Sequence, residues 1–187
     1  MKYKTLLLLL LCVVFLSGYK YKHNVPPIDG TNNATERNSR GIMYMEMGQY
    51  AAAMSEFQIA ISLSPDAPTS SAYYNNLGLL MLKLNRANDA KDCFKKAIDR
   101  NPVFLEYYKN LITASGQAGS LNSDLNMYLS QIASDNNNSQ AYFMAGLIYA
   151  EKGQKVLAVQ YLKRFTKLEK VNFLSGAANN MIKELEK

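Results

Sequence analysis

Residues 71–102 read SAYYNNLGLLMLKLNRANDAKDCFKKAIDRNP, and the fold prediction depends on the spacing within this stretch. Its two apolar-periodic halves predict helices over 71–84 and 87–100, joined by a polar turn at Asn85. Pro102 ends the second helix because the residue before a proline is disfavoured in the α region. The spaced residues, at successive intervals of 3, 1, 12, 4, 3 and 5, are Tyr74, Leu77, Gly78, Ala90, Phe94, Ala97 and Pro102.

The small residues of this pattern predict a close contact between the two helices. A glycine inside a helix costs roughly 1 kcal/mol relative to alanine, so Gly78 in the middle of a helix needs a packing reason. We expect the second helix to approach Gly78 at Ala90.

The same spacing recurs elsewhere in the chain. The intervals of 12, 4, 3 and 5 are repeated in the set Gly41, Ala53, Phe57, Ala60 and Pro65. Gly146 again precedes an alanine by 12 residues, and it lies 68 residues after Gly78, which is twice 34. A further unit must therefore lie between them, at about 105–138. That unit has Ile112 and Asp124 in place of the glycine and the first alanine, so we expect it to pack less closely.

This order of aromatic, Leu-Gly, Ala, Phe and Pro resembles the tetratricopeptide repeat, a 34-residue helix-turn-helix unit. The resemblance implies an all-α fold, a right-handed α-solenoid of about four helix pairs whose first helices line a concave groove. The last amphipathic segment, residues 171–187, is expected to be a capping helix. The four predicted repeats are residues 34–67, 71–104, 105–138 and 139–170.

Polar residues near the starts of the helices lead to predictions about helix caps and about the first arginines. Thr35 is predicted to cap the first helix, and Ser70 or Ser71 is predicted to cap the helix after Pro65. Arg37 and Arg40 stand where the repeat usually has an aromatic residue and a leucine. Because no repeat precedes them, we expect both arginines on a face that water wets.

Residues 1–18 have the order of a secretory signal peptide: basic residues, a leucine-rich apolar run over 5–16, then Ser17 and Gly18. The apolar run is shorter than the roughly 20 residues of a membrane span. The alternatives are a cleaved signal peptide and an uncleaved anchor, which would attach the protein to a membrane. Residues 19–33 contain Pro-Pro, Asp-Gly and Asn-Asn and are predicted to be a flexible linker. We therefore expect export to the periplasm or cell envelope.

The charge of the chain argues against a nucleic-acid partner. The formal net charge is +6, from 21 Lys and Arg and 15 Asp and Glu. Four of these basic residues and one acidic residue precede residue 34, so 17 and 14 remain and the folded part has a net charge of +3. No basic stripe alternates with aromatic residues, as binding of single strands requires.

The folded part also lacks the residues of a recognisable catalytic or metal site. His23, the single histidine, lies in the linker, so no Ser-His or Cys-His pair is available. One cysteine without a histidine predicts no metal cluster, and no phosphate-binding loop is present. We therefore predict no enzyme activity and no cofactor.

Cys93 would be the only cysteine left after removal of a signal peptide. Cys93 directly precedes Phe94 on the second helix of a repeat. This position indicates that its side chain is a small, partly buried apolar group. The alternatives are an intermolecular disulfide and a reactive thiol.

A peptide-binding groove is the functional site that the resemblance implies. Concave positions of this repeat lie one residue after the first aromatic of each first helix, and four and seven residues further on. They combine apolar side chains with asparagines that could bond a peptide backbone, while Lys83 and Lys109 add positive charge. The alternative is that several of them, above all Phe143 and Leu147, only pack against the cap or neighbouring repeats. The candidate residues are Asn38, Ile42, Met45, Asn75, Asn76, Leu79, Leu82, Lys83, Lys109, Thr113, Phe143, Leu147 and Ala150.

Two functions of different classes remain open. The preferred one is an exported adaptor that holds a protein or peptide partner in its groove during cell-envelope assembly or secretion. The alternative is a structural module that self-associates into a homo-oligomer through Cys93, the third repeat or the terminal helix.

Overall fold

The computed structural model describes residues 33–169 and 173–187. Every regular element in this part is an α-helix, which confirms the all-α prediction. No described helix is long and apolar enough to cross a membrane. The predicted signal peptide and nearly all of the predicted linker lie outside the described residues. The nine described helices are α1 (Ala34–Glu46), α2 (Tyr50–Leu63), α3 (Ser70–Lys83), α4 (Ala87–Arg100), α5 (Leu105–Gln117), α6 (Leu121–Ser134), α7 (Ser139–Glu151), α8 (Lys155–Leu168) and α9 (Phe173–Leu185).

The helices pair in sequence order. Close packing joins α1 to α2, α3 to α4, and α7 to α8, while α9 packs on α8. The helices predicted over 71–84 and 87–100 correspond to α3 and α4, with every bound within one residue. Asn85, in the turn between them, has a φ of 57°, a left-handed conformation that asparagine tolerates better than most residues. The corresponding turns of the other three pairs have Gly48, Gly119 and Gly153, with φ of 73°, 67° and 70°.

Gly78 makes room for an aromatic ring of the facing helix. A Cβ on Gly78 would lie 2.6 Å from Cε1 of Phe94, whose ring is fully buried. Ala90 is also fully buried, one turn earlier on α4. Because a real Cβ never approaches another atom so closely, only glycine lets the two helices meet here. The equivalent pairs, with nearest distances of 2.5 and 2.8 Å, are Gly41 with Phe57 and Gly146 with Leu162.

The third repeat is more open, as the loss of its glycine predicts. Helices α5 and α6 make few close contacts with each other, and α5 packs mainly on α4. Ile112 stands at the glycine position, and Tyr128 stands sixteen residues later, where repeat two has Phe94. Two large side chains do not fit into the space that a glycine leaves for one ring, so the helices separate. Within helix α6, only Leu125 is buried.

The helix caps differ from the predicted ones. Asn33 caps α1, because its side-chain oxygen accepts a hydrogen bond from the backbone N–H of Thr35 at 3.0 Å. Ser70 and Ser71 are the first residues of α3 and are buried. The Ser70 hydroxyl donates to the Ala67 carbonyl at 2.7 Å, and Ser71 makes the corresponding bond one residue later. Both serines thus hold the preceding turn against α3, and backbone carbonyls of that turn, not serine side chains, accept from the first N–H groups of the helix.

Arg37 and Arg40 also depart from expectation, since both point into the first helix pair. The Arg37 side chain is 10% exposed, and its Nη1 lies 3.2 Å from Oε1 of Glu56 on α2. The Nε of Arg40 lies 3.5 Å from the other oxygen of the same carboxylate. The carboxylate of Glu56 holds both guanidinium groups away from water, so a largely buried ion cluster joins the two helices of the first repeat.

Candidate ligand-binding groove

A cleft of about 380 Å³ lies where α5, α7 and α9 come together. Residues from the first helices of repeats three and four and from the last helix line it. Four of the predicted groove residues contribute to it: Lys109, Thr113, Leu147 and Ala150. The other lining residues are Ile112, Glu151 and Met181.

The cleft combines a largely apolar lining with one charge of each sign. Ile112 and Leu147 are buried and present only small parts of their side chains to it. Lys109 and Glu151 are exposed, so their charged groups remain hydrated. Such a lining suits an apolar side chain flanked by polar backbone groups, which is the pattern of a bound peptide segment.

The three predicted asparagines take part in hydrogen bonds between successive first helices, one of them with Asn110, which was not predicted. The Nδ2 of Asn76 donates to Oδ1 of Asn38 at 2.9 Å, and the Nδ2 of Asn110 donates to Oδ1 of Asn75 at the same distance. The two bonds connect equivalent positions. In each bond the donor asparagine comes from the later repeat and lies one position further along its helix than the acceptor asparagine does in the earlier repeat. The ladder therefore links α1 to α3 and α3 to α5. One amide N–H₂ and one amide oxygen of each pair are left for other partners.

The remaining predicted positions of the first two repeats lie outside this cleft. Lys83 is exposed at the last turn of α3. The four apolar positions are half-buried and pack against the core, so they contribute to stability as well as to the surface. These four are Ile42, Met45, Leu79 and Leu82.

Phe143 is not a groove residue, which corrects the prediction. It is 1% exposed, and its ring centroid lies 5.1 Å from that of Tyr108 and 4.7 Å from that of Phe165. Edge-on and tilted ring pairs at these distances stabilise a core. The ring of Phe143 therefore joins α7 to α5 and α8, and it is unavailable to a ligand.

Three lining residues were missed from the sequence. Met181 comes from the terminal helix, whose place on the array the repeat spacing does not specify. Glu151 is the last residue of α7, one position after Ala150. Ile112 was noted only as a replaced glycine. Residues 109 and 113, which lie on the same face of the helix, were predicted to line the groove. Helical periodicity could therefore have placed Ile112 on that face as well.

The described residues offer binding contacts more readily than reactive groups. Within 33–169 and 173–187, no group of three or more His, Cys, Asp or Glu side chains could hold a metal ion. Burial raises the pKa of the Cys93 thiol to about 11, so the thiol is protonated at neutral pH. This agrees with the interpretation of Cys93 as a partly buried apolar residue.

A family model described as tetratricopeptide repeat matches residues 37–67, 71–104 and 139–172, more than half of the chain. The chain belongs to the tetratricopeptide repeat family. The matched spans omit 105–138, the repeat in which Ile112 and Asp124 depart from the family pattern. Proteins of this family are generally non-enzymatic scaffolds for protein interactions.

Solved structures of this family resemble the fold at low sequence identity. MamA is 24% identical, covering 74% of this chain and 80% of its own, with a TM-score of 0.48. A tetratricopeptide repeat protein from Parabacteroides merdae is 15% identical over 82% of this chain and 60% of its own, with a TM-score of 0.49. YrrB, described as having an unusual peptide-binding site, is 20% identical over 81% of this chain and 76% of its own, with a TM-score of 0.44. No curated protein matches the chain.

Proposed function

We propose that this protein is an adaptor that binds a peptide segment of a partner protein in its concave groove. The observation that carries the proposal is the cleft where α5, α7 and α9 meet, because Lys109, Thr113 and Leu147 contribute to it together. These positions belong to the predicted groove, and they come from different repeats. Their convergence favours binding at the C-terminal half of the array.

The lining supports a segment with one apolar anchor and a free backbone on either side of it. The half-buried Met181 and the exposed edge of Leu147 would contact the anchor. The Thr113 hydroxyl and the Lys109 ammonium would bond carbonyl groups of the segment.

We further propose that the adaptor acts after export, in the cell envelope, in assembly or secretion. This rests on the composition of residues 1–18, which is that of a signal peptide. N-terminal sequencing of the protein from a cell-envelope fraction tests it. A start near Tyr19 would agree with a cleaved signal, and a start at Met1 with recovery in the membrane fraction would indicate an anchor. Recovery of the intact chain in the cytoplasm alone would contradict export.

Site-specific photo-cross-linking tests the groove. A photoreactive residue at Thr113 should yield a discrete adduct in cells, and the same residue at the exposed Ser123 of α6 should not. Lys109→Glu should remove the Thr113 adduct while leaving the helical thermal transition unchanged. Equal adducts from both sites, or an adduct unaffected by Lys109→Glu, would reject the groove. An adduct consisting of two copies of this chain would favour the self-association alternative.

A further inference from the structure

A second cleft, of about 500 Å³, is lined by residues of α6, α7 and α8, none of which lines the first cleft. Its apolar part consists of Ile132 and the rings of Tyr142 and Tyr161. Three cations, Lys163, Arg164 and Lys167, complete the side that α8 provides. No carboxylate lines it among the described residues, so its charge is positive.

Within the described residues, two of the three cations have no carboxylate partner. Lys163 is paired, since its Nζ lies 2.6 Å from Oε1 of Glu186. The guanidinium of Arg164 lies over the Tyr142 ring, 5.7 Å from its centroid, and donates to the Asn136 carbonyl at 3.3 Å. Lys167 is exposed and has no ion pair in the described part of the chain. An anion that enters the cleft can therefore bond to Arg164 and Lys167 without breaking an existing ion pair of either residue.

Repeat two provides an internal comparison for this cleft. Its Lys96 lies over the Tyr74 ring at 5.6 Å, as Arg164 lies over Tyr142, and both residues of the first pair precede those of the second by 68 positions. Repeats two and four thus share a cation over a tyrosine. The carboxylates around it are not shared. Helix α4 carries Asp89, Asp92 and Asp99, and the equivalent positions of α8 are Leu157, Gln160 and Lys167.

This difference in charge between α4 and α8 shows that the repeat folds without the excess of cations on α8. The fold of repeat two is built with a nearly balanced helix, in which Lys95 lies 4.0 Å from Asp92. Helix α8 has three cations in its second half and no Asp or Glu anywhere between Lys155 and Leu168. Some of that charge complements the C-terminal end of the helix dipole. The helix dipole does not explain why repeat four has Lys167 where repeat two has Asp99, because α4 and α8 have dipoles of the same direction.

We propose that the cleft between α6, α7 and α8 binds an acidic segment of a partner protein. Its carboxylates would bond Arg164 and Lys167, and an aliphatic or aromatic side chain would enter between Tyr142, Tyr161 and Ile132. Val156, 81% exposed on the same helix one turn before Gln160, extends the apolar contact. The recessed, ring-lined shape favours a peptide over an anionic bilayer, which would need its cations on a protruding face.

Fluorescence anisotropy with the full chain and a fluorescein-labelled peptide of alternating glutamate and leucine tests this. A peptide with glutamine in place of glutamate is the ligand control. Arg164→Gln with Lys167→Gln should weaken binding of the acidic peptide about tenfold or more. Lys95→Gln with Lys96→Gln, which also removes a cation over a tyrosine, should change it less than about twofold. Binding should also weaken as salt is raised.

The proposal is overturned if the acidic peptide does not bind, if the glutamine peptide binds equally, or if both double variants lose affinity alike. It is also overturned if phosphatidylserine vesicles bind in sedimentation while the peptide does not. If circular dichroism shows that the Arg164→Gln, Lys167→Gln variant is unfolded, the single variant Lys167→Glu tests the proposal instead. That side chain is exposed, so the variant should fold, and unchanged affinity would reject the site.

Discussion

The ammonium nitrogen of Lys91 lies 2.7 Å from Oδ2 and 2.9 Å from Oδ1 of Asp124, joining α4 to α6 across two repeats. Ser120 completes the cluster, since its hydroxyl accepts from Lys91 at 2.5 Å and donates to Asp124 at 2.8 Å. Asp124 occupies the place that an alanine holds in the closely packed repeats. A polar cluster therefore attaches α6 where its contact with α5 is sparse.

Asp124→Ala should lower the free energy of unfolding by about 2–4 kcal/mol. The side chains of Lys91 and Asp124 are only 10% and 16% exposed, and removing one partner leaves a poorly hydrated charge. Urea denaturation followed by circular dichroism measures the change. Asp92→Ala is the control, because its pair with Lys95 is exposed and should contribute less than about 0.5 kcal/mol. Equal losses in the two variants would mean that the buried pair is not special.

The stability that Asp124 contributes should disappear in acid. Burial opposes its ionisation, but hydrogen bonds from Lys91, Ser115 and Ser120 outweigh it and lower the pKa of Asp124 below its ordinary value of 3.8. A folded-state pKa below the unfolded one stabilises the fold above the unfolded pKa, and the contribution is lost as pH falls through the folded pKa. The difference in unfolding free energy between the wild type and Asp124→Asn should thus persist above about pH 5 and shrink as the pH falls further, through the folded-state pKa. A constant difference would contradict the assigned ion pair.

Gly78→Ala should destabilise the protein by about 1–3 kcal/mol, because the new methyl group would meet the Phe94 ring at 2.6 Å inside a filled core. Gly176→Ala is the matched control. It also lies inside a helix, α9, but its Cβ would meet nothing within 4 Å. That change should stabilise by about 0.5–1 kcal/mol through helix propensity alone. Thermal melts of both variants would refute the packing argument if the two shifts had the same sign.

Cys93 should react slowly in the native protein. Its pKa of about 11, raised mainly by burial, leaves little thiolate at neutral pH. Reaction with a coloured disulfide reagent should be about tenfold or more slower in buffer than in urea. Cys93→Ser should leave the mass from light scattering unchanged. A dimer that this substitution abolishes would show that the cysteine mediates self-association.

Local spacing was enough to predict the helix pairs. A glycine and a ring sixteen residues apart lie on facing helices of one hairpin, so the pattern around Gly78 placed α3 and α4 within one residue. The same reasoning found the open third repeat from Ile112. It failed at the start of α1, where Asn33 and Thr35 are both capping residues and only the backbone conformation selects between them.

Part of the lining of the first cleft could be placed from the sequence, for a related reason. Lys109, Thr113 and Leu147 were placed by their position in the repeat, and the cleft contains them. Phe143 has the same repeat position as Lys109, yet Tyr108 and Phe165 enclose it. A position within a repeat specifies a face of a helix, whereas the size of the neighbouring side chains determines whether that face is open.

The sequence alone determined the all-α repeat architecture, because intervals within 34 residues specify which residues of one helix pair touch. Only the tertiary structure decided which polar groups meet: Asn38 with Asn76, Lys91 with Asp124, and Arg164 with the Tyr142 ring. The first two pairs connect different repeats, at separations of 38 and 33 residues. Their contact depends on how far each repeat is rotated on the one before it, and packing across the whole array sets that rotation.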